Sequence, residues 1–126
     1  MLQIDPRSSK PLYEQIVDGI KENIVKGILQ PGDKLPSVRE MSTLLMVNPN
    51  TVSKAYQELE RERAIETVQG RGTFISQNYQ PKRDEEKLQG LKELLKKVVI
   101  EGHYLGLARG EIVTLLDEIY RELEER

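Results

Sequence analysis

The chain contains no cysteine and a single histidine in 126 residues. Without cysteine it can form neither disulfides nor thiolate metal sites, which is compatible with a reducing compartment. His103 has no second His or Cys to accompany it, so it reads as a surface or half-buried structural residue, and neither metal nor cofactor is expected. No stretch approaches the roughly 18 consecutive apolar residues of a membrane span. Met1-Leu2-Gln3-Ile4-Asp5 has neither a basic start nor an apolar run, so no signal peptide is visible and the cytoplasm is the expected location. A phosphate loop, a nucleophile elbow and an H-E-x-x-H zinc helix are all missing, which argues against an enzyme. With 37% hydrophobic and 32% charged residues, the chain has material for one small core plus an appendage.

The richest stretch runs from Leu35 to Ile75, LPSVREMSTLLMVNPNTVSKAYQELERERAIETVQGRGTFI. Ser37 followed by Glu40 is an S-x-x-E capping box, which predicts a helix from Val38 with Met41, Leu44 and Leu45 on its apolar face. Asn48-Pro49 supplies a side-chain cap and then proline at the first helical position, where its missing N–H is harmless. A second helix should therefore run from Pro49 to about Arg61. On it Val52, Tyr56 and Leu59 fall inward at helical spacing, and Asn50, Thr51, Ser53, Lys54 and Gln57 present hydrogen-bonding groups outward. Ala64 to Val68 and Thr73 to Ser76 are β-prone and joined through Gln69-Gly70-Arg71-Gly72, whose glycines tolerate positive φ and carry a cation at the tip. Helix, tight turn, helix and hairpin in that order describe a winged helix-turn-helix.

At these residues the chain resembles the GntR family of bacterial transcription regulators, and VNPNTVSKAYQELE with GRGTFI is most similar to its small YtrA-type branch. The resemblance covers Pro11 to about Ser76, and the C-terminal stretch resembles that branch's short helical dimerisation tail in length and pattern. It implies a homodimeric repressor or regulator of transcription with double-stranded DNA as its partner, and a two-fold dimer suits a palindromic operator. Carried over residue by residue, Arg39 matches the family's DNA-contacting arginine near the start of its helix. Asn48, Asn50, Thr51, Ser53 and Lys54 lie on the recognition-helix face, and Gln69, Gly70 and Arg71 match the wing tip that approaches the minor groove. Two positions depart from the pattern. Met46 stands where many relatives have glycine, and a bulky residue is strained at positive φ. Pro49 replaces a base-contacting arginine of other branches, so base readout falls to its neighbours.

The charge balance is unusual for a DNA binder, with 19 Lys and Arg against 21 Asp and Glu. Its distribution matters more than its sum. Residues 1–78 hold ten basic and ten acidic side chains, residues 79–126 nine and eleven, so the surplus acid lies in the tail. Arg39, Lys54 and Arg71 come from the three elements that would meet DNA, while Glu58, Glu60, Glu62 and Glu66 fall toward the helix end and the wing base.

Outside the motif, Leu12, Ile16, Ile20, Ile24 and Ile28 recur every fourth residue behind Pro11, predicting a scaffold helix closed by Gly27 and Pro31-Gly32. Gln77 to Asp84 reads as a short hinge. Beyond it Leu88, Leu91, Leu94, Leu95, Val98, Val99 and Leu105 form a helical stripe ending at Gly106. A last helix from about Arg109 turns Ile112, Leu115, Leu116, Ile119, Tyr120 and Leu123 inward, with Leu107 and Ile112 spaced as a hydrophobic staple. Two such helices cannot hide their stripes against each other alone, so Leu91, Leu94, Val98, Leu115, Ile119 and Leu123 are the expected dimer interface. The expected architecture is mainly α with a small β-hairpin: a winged helix-turn-helix DNA-binding domain over residues 1–78 and a two-helix dimerisation tail over 79–126. The tail is too short to match the larger ligand-binding domains of other branches, and no effector is named. The competing reading is an adaptor whose winged helix binds a partner protein.

Overall fold

Behind Pro11, the first helix (α1, Leu12–Val25) sets Ile16, Val17 and Ile20 into the core. The fourfold spacing expected to carry on to Ile28 stops earlier. Gly27 takes a left-handed φ of 77° and redirects the chain, so Ile28 is exposed and Leu29 takes the inward place. The residues ahead of α1 are pinned by one side chain. Gln15 accepts from the Asp5 amide (2.7 Å) and donates to the carbonyls of Asp5 (3.0 Å) and Lys10 (2.9 Å). The computed structural model describes residues 2–79, 81 and 83–124.

A two-residue strand (β1, Lys34–Leu35) precedes the second helix (α2, Val38–Leu45), and the third (α3, Pro49–Arg61) leads into the hairpin of β2 (Ile65–Val68) and β3 (Gly72–Ile75). The three strands form one antiparallel sheet in the order β1-β3-β2, so the expected hairpin gains an edge strand. The pairing of Lys34 with Phe74 and of Leu35 with Thr73 ties the stretch just before α2 to the wing. Two residues are too few to show a period of two, which is why the sequence pattern misses β1.

Among the described residues the core lies wholly in this winged unit, where α3 packs on both α1 and α2, and Leu35, Met41, Val52, Leu59 and Ile65 are all but inaccessible. Leu44 is a correction. Met41 and Leu45 share the inward face at i and i+4, which turns Leu44 to solvent with two thirds of its surface exposed.

The turn between α2 and α3 is a Schellman motif. The Val47 N–H reaches the Ser42 carbonyl (3.1 Å) and the Met46 N–H that of Thr43 (3.4 Å), with Met46 left-handed at φ 55° and ψ 47°. Met46 is 90% exposed, so its side chain offsets little of the strain. Met46→Gly is expected to stabilise the chain by about 0.5–1 kcal/mol, once the larger unfolded-state entropy of glycine is subtracted. An increased urea midpoint at unchanged slope checks this; a lower midpoint would mean that Met46 makes a stabilising contact.

The second unit consists of α4 (Glu85–Tyr104) and α5 (Arg109–Glu124). Asp84 caps α4, accepting from the amides of Glu86 (2.9 Å) and Lys87 (3.2 Å). Gly106, at φ 77°, closes it through a second Schellman motif, the Leu107 amide bonding the Gly102 carbonyl at 2.9 Å. Ala108 offers no capping side chain, but its N–H donates to the Glu111 carboxylate at 3.1 Å, half of a capping box. Leu107 and Ile112 are half-buried at this corner against Gly102, where an added Cβ would stand 2.8 Å from Ile112 Cδ1. Away from the corner the stripes face solvent. Among the described residues of the unit, Gly102 alone is buried.

Candidate nucleic-acid interface

The start of α2 is fixed by the expected box: Ser37 Oγ accepts from the Glu40 amide and the Glu40 carboxylate from the Ser37 amide, both at 3.1 Å. The Ser37 N–H, and then its hydroxyl, hold the Glu40 carboxyl below the ordinary range, so this end of the helix keeps an ionised cap. Arg39 projects beside it, exposed and with no ion-pair partner among the described residues.

Two hydrogen bonds fix how α3 meets α2. Ser42 Oγ donates to the Val47 carbonyl at 2.7 Å across the turn, and the Tyr56 hydroxyl donates to the Pro36 carbonyl at 2.6 Å. Burial first, and the charge of Glu40 second, push Tyr56 up to about 12, so the hydroxyl remains a donor throughout the neutral range. At the head of α3, Asn48 spends its amide oxygen on the Asn50 N–H (2.8 Å), leaving its NH2 group for anything outside. No acidic residue stands in the first turn, so the positive end of the helix dipole is uncompensated there. Asn50, Lys54 and Gln57 are exposed and Thr51 and Ser53 half-buried on the flanks. Lys54 is not simply outward, because its ammonium lies 4.0 Å from the centre of the Tyr13 ring on α1.

The wing turns at Gln69, Gly70 and Arg71, all exposed, with the Arg71 N–H closing the turn on the Val68 carbonyl at 2.9 Å. Gly70 has φ 82° and open space where a Cβ would be, so backbone conformation is what calls for glycine there. Gly72 is also left-handed, at φ 124°, so the backbone calls for glycine there too, and the Lys34 chain crosses the base of the wing beside it, with Cε 2.8 Å from where a Cβ would stand. Lys34 escaped the sequence reading, since its placement depends on a strand pairing that local pattern does not show.

All nine expected DNA-facing residues thus sit on the winged unit, at the starts of α2 and α3, along α3 and at the wing tip. The six expected interface residues all lie on α4 and α5, with Leu91, Leu94, Val98, Leu115 and Ile119 exposed and Leu123 half-buried. No helix among the described residues is long and apolar enough to cross a membrane.

Comparison with known proteins places these features. The model for bacterial regulatory proteins of the gntR family matches residues 12–75. The HTH-type transcriptional repressor YtrA of Bacillus subtilis is 52% identical over 124 residues, 98% of this chain and 95% of that protein. A crystal structure of a transcriptional antiterminator from Listeria monocytogenes superposes with a TM-score of 0.88 at 45% identity, covering 100% of this chain and 94% of the other. The AraR DNA-binding domain, crystallised in complex with operator ORX1, matches 60% of this chain and 93% of its own, with a TM-score of 0.53 and 31% identity.

Proposed function

Since the chain belongs to the gntR family of bacterial regulatory proteins, we propose that it represses transcription as a homodimer, each copy seating one winged unit on half of a palindromic DNA operator. The observation that carries the reading is the set of exposed residues on one small unit: Arg39 at the start of α2, the polar side of α3 and Arg71 at the wing tip. An AraR domain of the same fold is held on its operator. In this reading α3 enters the major groove, with Asn50, Thr51 and Ser53 toward base edges, Asn48 presenting its NH2 group and Lys54 at the flank. Gln69, Gly70 and Arg71 approach the minor groove, and Arg39 anchors the start of α2.

The apolar residues of α4 and α5 supply the dimer. Leu91, Leu94, Val98, Leu115, Ile119 and Leu123 lie on helices that touch each other at one corner, and a two-fold partner covers what they leave exposed. The division of labour is then DNA binding by residues 1–78 and dimerisation by 79–126, in a protein of the cytoplasm.

Mobility shifts with the region upstream of the protein's own gene, at stepped salt, test this. Retention that falls steeply with salt and prefers that region supports the regulator; association insensitive to both supports a protein-binding adaptor instead. For the wing, Arg71→Ala is expected to weaken binding and to flatten the salt slope by about one unit per half-site, with the greatest loss on operators whose flanks are A·T-rich and narrow. An unchanged slope would make Arg71 a bystander.

A further inference from the structure

Lys54 stands one turn before Glu58 on α3, a spacing at which the two would ordinarily pair along the helix. They do not. Arg61 takes the Glu58 carboxylate with two hydrogen bonds, Nε to Oε2 at 3.2 Å and Nη2 to Oε1 at 2.5 Å. The Lys54 ammonium instead lies over the Tyr13 ring at 4.0 Å. Tyr13 is half-buried against the core on α1, and its hydroxyl donates to the Glu14 carboxylate at 3.2 Å, so the ring has little freedom to leave. Burial, and then the charge of Glu14, push the hydroxyl above its ordinary value and keep the ring neutral.

Two consequences follow from the identity of the partner. A carboxylate would cancel the charge of Lys54, whereas a neutral ring orients the ammonium and leaves its charge whole. The ring also draws it toward α1, to one edge of the exposed face that Lys54 shares with Asn50 and Gln57. We propose that Tyr13 is a positioning residue that holds Lys54 at the rim of the recognition helix, where its ammonium meets a phosphate and reads no base. This rests on the DNA-binding reading above.

The test has one arm without DNA and one with it, both on the full chain. Without DNA, the Cε protons of Lys54 are shifted upfield by the ring current in the wild type and in Tyr13→Phe, and return to ordinary values in Tyr13→Leu. Unshifted protons in the wild type overturn the proposal whatever the variants do on DNA. With DNA, duplexes carrying the protein's own upstream site and single-base-pair variants of it are titrated at several salt concentrations. Lys54→Gln lowers affinity by the same factor on every duplex and makes the salt slope shallower by about one unit per half-site. Tyr13→Leu lowers affinity by about two- to fivefold in the native background and not at all in Lys54→Gln, while Tyr13→Phe matches the wild type. A change in base preference with Lys54→Gln, or an equal loss from Tyr13→Leu in both backgrounds, contradicts it. If the wild type shows the ring-current shift but retains no duplex, the DNA-binding reading itself falls, and the phosphate contact with it.

Discussion

Ending the chain after Tyr79 is expected to give a folded monomer whose operator affinity is lower by roughly 10²- to 10⁴-fold, the advantage lost when two half-sites are no longer engaged together. The fold should survive because every buried hydrophobic side chain of the described residues lies ahead of that point, from Ile16 to Ile75. Ending at Tyr79 also keeps Gln77, whose N–H bonds the Glu66 carboxylate at 3.3 Å. The monomer should follow because the removed helices carry the exposed stripe, including Leu91, Leu94 and Leu95 on α4 and Leu115, Ile119 and Tyr120 on α5. Hydrophobic side chains half to two thirds exposed along two helices are stable in water only when something covers them. Sedimentation of the truncated and full chains decides the point. A truncated protein that still sediments as a dimer would place the interface on the winged unit.

Arg39→Ala is the second large effect, an expected loss of about 1 to 3 kcal/mol in operator affinity with the thermal midpoint unchanged. The side chain is exposed and has no ion-pair partner among the described residues, so removing it leaves no buried group unsatisfied. The capping box next to it involves Ser37 and Glu40 alone and survives the substitution. Titration of wild type and variant at one moderate salt concentration, beside a melting curve, separates the two quantities. Equal affinities would remove Arg39 from the DNA contact, and a lowered midpoint would make it structural.

What the sequence made legible is what local chemistry controls. Ser37 with Glu40, and Asn48 with Pro49, mark their helix starts because each capping bond spans two or three residues, and both helices begin where those residues place them. Gly70 and Gly72 mark the wing for the same reason. Tertiary partners are what the sequence kept out of view. The edge strand at Lys34 needs β3, the outward turn of Leu44 depends on which side of α2 meets α3, and the position of the Lys54 ammonium depends on a tyrosine in another helix. The early end of α1 lies between these cases. Gly27 is visible in the sequence as a breaker, but the fourfold run of apolar residues continues past it to Ile28, and only the left-handed turn at Gly27 shows that Ile28 leaves the stripe.

In the proposed function, two copies of this chain occupy one palindromic operator, each through its winged unit. Footprinting the full-length protein on the region upstream of its own gene tests it most directly. Two protected half-sites related by a dyad are expected, with their centres about 10 base pairs or a multiple of that apart, appearing together as protein is added. Protection of a single half-site without symmetry, or none at a concentration where the protein is folded and dimeric, would contradict it.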